Sequence, residues 1–138
     1  MTCSPTPQST AEALELIRSE PNHYVIANLL GRRSILSSRD ILTVPRIKDV
    51  AVGDVISFSA ISEAGSRTYT LRGNPILPSG TVRVQATVIE HTKGKLEKIE
   101  KFKRRKGYYR IIHHKQTYTR LRIGPIEIAP NGQNDLTT

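Results

Sequence analysis

The chain has 138 residues, 37% of them hydrophobic, with no Trp, five Tyr and two Phe, which sets an aliphatic core of modest size and one domain as the working assumption. Its single cysteine, Cys3, excludes an internal disulfide and a four-cysteine metal site. No apolar run approaches the ~20 residues that a bilayer-crossing helix needs, so no membrane partner is expected. The formal charge is +9, and it is unevenly placed: residues 92–122 hold twelve of the 21 Lys and Arg but two of the 12 Asp and Glu, a net +10, which leaves the rest of the chain at −1. A charged face that serves only solvation mixes both signs, whereas this distribution describes a nearly neutral body with a basic arm, the electrostatic footprint of a nucleic-acid partner.

In chain order, residues 1–22 are predicted as an N-terminal extension. Met1 to Gln8 is rich in Pro, Ser and Thr and expected to be irregular; Ser9 with Glu12 three residues on forms a capping-box pattern, and Ala11 to Ser19 should be a short helix with Ala13, Leu14 and Ile17 as its apolar stripe. Pro21 ends it. With three glutamates against Arg18, the segment lacks the composition of an organelle presequence, and no targeting peptide is visible in the chain.

From Tyr24 the pattern changes to short strands. Tyr24 to Leu30 and Ser34 to Leu36 flank a hairpin corner at Gly31-Arg32-Arg33, and Ile41 to Val44 is stopped by Pro45. The turn Val52-Gly53-Asp54 launches Val55 to Ala60, in which Ile56, Phe58 and Ala60 share a face; Tyr69 and Leu71 belong to another strand. Val82, Val84, Ala86 and Val88 then alternate with Arg83, Gln85, Thr87 and Ile89, a half-buried strand. Several short strands at turn-marked intervals predict an all-β fold, a small antiparallel β-barrel over residues 23–129, with a tail at 130–138.

The arm, residues 92–122, fits two conformations. Leu96, Ile99 and Phe102 recur every third residue, as in an amphipathic helix; alternatively Gly94 to Lys106 and Thr117 to Ile123 are the limbs of a long hairpin with Gly107 near its tip, which the alternation of Leu121 and Ile123 with Arg120 and Arg122 favours. Cations interleaved with aromatic and amide side chains suit RNA, because guanidinium forks bind phosphate in pairs of hydrogen bonds and tyrosines stack on unpaired bases. The candidate RNA-binding residues are Lys103, Arg104, Arg105, Lys106, Tyr108, Tyr109 and Arg110, flanked by Lys93, Lys95, His114, Lys115, Gln116, Tyr118 and Arg120. Tyr118 suits packing at the arm's base as well as RNA, and Phe102 is read as structural. So charged a segment lacks the apolar surface to offset chain entropy, and it is expected to order mainly when bound.

Enzymatic readings find no support. No Gly-x-Ser-x-Gly or phosphate-cradling Gly-rich loop occurs, Asp54 is a turn residue, and the adjacent His113 and His114 point apart in a strand with no acid or second cysteine at ligand spacing. No cofactor, metal or small-molecule substrate is expected. The alternative to a ribonucleoprotein component is a free-standing RNA-binding regulator; a membrane-surface module is disfavoured for want of a large apolar face on the arm.

Gly73-x-Pro75, Gly80, Val82-x-Val84-x-Ala86-x-Val88-Ile89-Glu90-His91, Lys93-Gly94-Lys95, Phe102-Lys103-Arg104-Arg105-Lys106-Gly107-Tyr108-x-Arg110 and His114-x-Gln116-x-Tyr118-Thr119 closely resemble, in order and spacing, the bacterial-type large-subunit ribosomal protein twenty-one family. The resemblance runs from about Tyr24 to Ile123, with Val52-Gly53-Asp54-x-Ile56-x-Phe58 its best anchor before Gly73. It implies a small β-barrel whose basic loop penetrates the rRNA of the large ribosomal subunit, with neighbouring ribosomal proteins as partners and no catalysis. The chain departs from the family pattern at Leu30-Gly31-Arg32-Arg33-Ser34, at the charged Glu97, Lys98, Glu100 and Lys101, and at His113-His114-Lys115-Gln116. Residues before Tyr24 lie outside the family's usual bounds, which points to an organellar version in the mitochondrial matrix.

Overall fold

The computed structural model describes residues 9–128, so Met1–Gln8 with Cys3 and the expected tail from Pro130 lie outside the described residues. The N-terminal helix forms as its sequence dictates. Helix α1 spans Thr10–Ser19, Ser9 is its N-cap with Oγ accepting from the Glu12 N–H at 3.3 Å, and Arg18 sits in the last turn where the dipole favours a cation. The expected stripe is its buried face: Ala13, Leu14 and Ile17 are all buried, and Ile17 is fully so. Leu14 and Ile17 join the main core cluster, so the helix is docked onto the body as part of its interior.

Eight strands follow: β1 Tyr24–Leu29, β2 Arg32–Ser37, β3 Ile41–Pro45, β4 Val55–Ser57, β5 Ile61–Gly65, β6 Thr70–Arg72, β7 Val82–Lys103 and β8 Tyr108–Ile128. They pair antiparallel in two four-stranded sheets, ordered β2-β1-β5-β6 and β3-β8-β7-β4. The mostly β architecture with one short helix is as expected; the ladders among the described residues form two sheets, with no closed barrel ladder. Between the sheets lies an aliphatic core, with Val25, Ala27, Leu36, Ile61 and Ala64 from the first and Val44, Val82, Val84, Ala86, Val88, Leu121, Ile123 and Ile128 from the second.

Three local findings refine the sequence reading. The first hairpin turns on Leu30-Gly31, not on Gly31-Arg32-Arg33: both residues have positive φ, 50° and 76°, the combination that a two-residue loop needs to follow strand twist, and Arg32 and Arg33 are already on β2. Strand β4 stops at Ser57, because the chain then crosses between sheets; the Phe58 N–H donates to Val84 O in one sheet, and Ala60 O accepts from Asn28 N in the other. The expected inward face holds nevertheless, with Phe58 buried and Ile56 half-buried. Strand β5 was not anticipated. All five of its residues are buried, including Ser62 and Glu63, so it shows no alternation to detect.

Glu63 is tolerated there because its carboxylate is fully engaged. The Tyr24 phenol donates to Oε1 at 2.8 Å and Arg72 Nε donates to Oε2 at 3.1 Å. The phenol's hydrogen bond, helped by Arg72 and opposed by burial, holds the carboxyl below its ordinary value of 4.5. A depressed folded value means that the stabilisation is full above about 4.5 and is lost as pH falls through the folded value. Chemical unfolding at a series of pH values should therefore show the parent weakening below about 4.5 more steeply than Glu63→Gln; identical slopes would remove Glu63 from the account. A second expectation concerns the helix. Ile17→Ala should cost about 2–5 kcal/mol in equilibrium unfolding, whereas Ile35→Ala, at a position 72% exposed, should cost little; equal effects would mean that α1 does not complete the core.

Candidate nucleic-acid interface

The basic segment is a two-stranded ribbon. The helical alternative fails: β7 and β8 leave the body together and stay paired to Lys103↔Tyr108, the last register pair before the turn Arg104-Arg105-Lys106-Gly107. The backbone groups of the segment pair in a ladder that continues, without a core of its own, from the one inside the body. Arg105 and Gly107 have φ of 60° and 59°, so the tip closes with two left-handed residues, one of which is glycine. At about 3.3 Å per residue, Leu96 to Lys103 carries the tip roughly 25 Å along the ribbon.

The ribbon's root is built from buried polar groups. Thr119 is fully buried on β8, and its Oγ1 accepts from the Ile47 N–H at 3.1 Å and lies 2.9 Å from His91 Nδ1. His91 Nε2 lies 3.0 Å from Val50 O. A carbonyl only accepts, so Nε2–H donates to Val50 O, and in the neutral ring Nδ1 accepts a hydrogen bond from the Thr119 hydroxyl. Three chain segments are thereby tied where the ribbon departs. Just beyond, the register shifts between Lys93 and Leu96, and Gly94 lies against the Tyr118 ring; a Cβ there would come within 2.9 Å of it.

The candidate residues fall into three stations. At the tip, Lys103, Arg104, Arg105, Lys106, Tyr108, Tyr109 and Arg110 are brought together and exposed. Along the shaft, Lys115 faces Leu96, with Lys93 and Lys95 on the neighbouring strand, while His114 Nε2 and Gln116 Oε1 meet at 3.1 Å. At the root, Tyr118 is half-buried over Gly94, and Arg120 donates to Glu90 Oε1 at 2.9 Å, so these two are separated from the tip cluster.

Alternation divides the ribbon into two sides. One carries Lys101, Lys103, Tyr108, Arg110, Ile112 and His114; the other carries Leu96, Lys98, Phe102, Tyr109, Ile111 and Lys115. Tyr108 and Tyr109 therefore point apart. Lys103 Nζ lies 5.0 Å from the centre of the Tyr108 ring, a cation–π contact that covers that aromatic. Phe102, expected to be structural, is 72% exposed. Lys98 and Lys101 are further arm cations not picked out from the sequence; the hairpin's period of two, once adopted, places both on the exposed ribbon.

Among the described residues no group of His, Cys, Asp and Glu is placed to hold a metal ion, and no helix is long and apolar enough to cross a membrane. The root yields a direct test. Thr119→Val keeps the volume but leaves the Ile47 N–H and the His91 ring without their partner, which should cost about 1–3 kcal/mol in denaturant unfolding, with Thr119→Ser restoring most of it. Parent-like stability of the valine variant would mean that the junction holds without these bonds.

Comparison with known proteins bears on the same residues. A family model described as Ribosomal prokaryotic L21 protein matches residues 23–126. The chain is 35% identical over 118 residues to an aconitase-ribosomal protein bL21m fusion protein of Schizosaccharomyces pombe, covering 85% of this chain and 13% of that protein. It is 29% identical to the large ribosomal subunit protein bL21m of Neurospora crassa, covering 90% of this chain and 58% of that one. With the large ribosomal subunit protein bL21 of Halorhodospira halophila it shares 31% identity over 100 residues, 72% of this chain and 93% of the bacterial protein. The chain thus spans less than two thirds of the length of the two fungal relatives and nearly all of the bacterial one.

Proposed function

Because the chain belongs to the ribosomal prokaryotic L21 protein family, we propose that it is a non-catalytic structural constituent of the large ribosomal subunit that binds and organises rRNA through the ribbon of residues 92–122. The observation that carries this reading is the concentration of a net +10 on a ribbon whose tip stands clear of the hydrophobic core. Where RNA helices converge their phosphates repel; Lys103, Arg104, Arg105, Lys106 and Arg110 on one paired finger supply the counter-charge and release condensed ions. The body is the anchor, with neighbouring ribosomal proteins and rRNA as its surroundings.

A mitochondrial ribosome is the setting we favour, supported by the relatives in Neurospora crassa, Mus musculus and Arabidopsis thaliana that carry the mitochondrial designation bL21m. The division into an extension at 1–22, a domain at 23–129 and a tail at 130–138 belongs to the same reading, with α1 docked onto the domain. So does the barrel. Its supports are the hydrogen bonds by which the segments connecting the two sheets fasten to their strands, Phe58 N to Val84 O, Leu77 N to Ile61 O, and Arg39 N to Ile123 O.

Replacing Arg104 and Arg105 together with alanine tests the proposal, because both are exposed and contribute nothing to the core. Charge-assisted contacts are worth about 1.5–3 kcal/mol each, so incorporation into large subunits should fall at least roughly tenfold, while the melting temperature stays as in the parent. The readout is sedimentation of tagged protein after a high-salt wash, with the co-migrating RNA sequenced. Undiminished incorporation would refute the role of the arm, and recovery in light fractions with scattered transcripts would replace the ribosomal reading by that of a free regulator.

A further inference from the structure

We propose that Phe102 and Tyr109 form a stacking platform for an unpaired RNA base, on the side of the ribbon opposite Lys103 and Arg110; this rests on the rRNA-binding reading and specifies how the tip would discriminate bases from bare phosphate. The two rings stand directly opposite each other in the register, and they are 72% and 59% exposed. They are in addition the continuation of the core-facing side. On β8 the residues Ile123, Leu121 and Thr119 are buried, and the same alternation leads through Lys115, His113 and Ile111 to Tyr109; on β7 Val88 and His91 lead through Leu96 to Phe102. Beyond the root this side has outrun the body, so its apolar residues face solvent with no core to enter.

Charge and size select the occupant. The rings adjoin the turn Arg104-Arg105-Lys106, so whatever covers them must carry anionic groups within a few ångströms. An aromatic side chain offers some 150–250 Å², so the pair falls short of the ~800 Å² per partner of a stable protein contact. One or two bases hanging from a phosphate backbone satisfy both conditions. Tyr108 is not an equivalent platform, because Lys103 already lies over its ring.

The test uses the full chain and a short single-stranded RNA with a fluorescent 2-aminopurine, alongside the same strand with abasic sites. Phe102→Leu keeps an apolar side chain but removes the ring; it should weaken binding of the base-bearing strand roughly tenfold, abolish fluorescence quenching, and leave both the salt slope and abasic binding as in the parent. Phe102→Tyr should restore affinity and quenching. The Arg104→Ala/Arg105→Ala variant should instead lower the slope of log affinity against log salt by about 1.4, roughly 0.7 for each phosphate contact. Parent-like affinity and quenching in Phe102→Leu, or an equal loss on abasic RNA, overturns the platform. If the arginine variant still loses RNA in that case, the arm's RNA binding stands without it; if neither variant alters binding, both readings fall.

Discussion

The antiparallel pairing of β7 with β8 is the constraint on which the rest depends. One ladder serves as the middle of a sheet at one end and as a free ribbon at the other, with Val82↔Ile128 deep in the body and Lys103↔Tyr108 at the tip. A two-stranded hairpin alone is marginal in water. Here its inner half is held by the burial of Val84, Ala86, Val88, Leu121 and Ile123, each contributing apolar area that the outer half cannot supply. The ribbon's direction is therefore set by core packing, and a charged finger is aimed by residues buried in the body.

Electrostatics makes that attachment necessary. Twelve cations share one segment, and its exposed ion pairs, Lys98 with Glu100 at 3.8 Å and Arg120 with Glu90 at 2.9 Å, are worth at most about 1 kcal/mol each. Self-repulsion favours splayed strands, while backbone pairing and the fixed root oppose it. Thr119 and His91 matter in this balance because they join the ribbon to residues 47–50, which belong to neither strand. A polyanion would remove the repulsion and leave the ladder unopposed.

Much of this was legible in the sequence because local chemistry and tertiary demand agree. The Ser9 cap with the Leu14 and Ile17 stripe, and the alternation from Val82 to Val88, each name a buried face that the structure honours. Strand β5 was not legible: a strand covered on both sides has no polar face, and the composition Ile-Ser-Glu-Ala-Gly hides the fact that Tyr24, 39 residues away, and Arg72 on the next strand make Glu63 admissible. In the arm, the spacing of Leu96, Ile99 and Phe102 imitates a helix, yet the ladder sends Ile99 to one side and Leu96 and Phe102 to the other. Side assignment needs the register, and the register needs the location of its irregularities; that is why Tyr108 and Tyr109 were grouped and Phe102 was assigned to packing.

Those irregularities impose a rule of parity. Between Val88 and Leu96, β7 accumulates two extra residues relative to β8, one at each register shift, between Val88 and Glu90 and between Lys93 and Leu96. The first exchanges odd for even positions and the second restores them, so even-numbered Phe102 shares a side with even-numbered Val88. Loss or gain of one residue in this stretch of β7 would send Phe102 to the side where Lys103 now points, while Tyr109, on β8, would keep its side. Length variation here is therefore quantised: two residues together keep Phe102 and Tyr109 on one side, whereas a single insertion parts them.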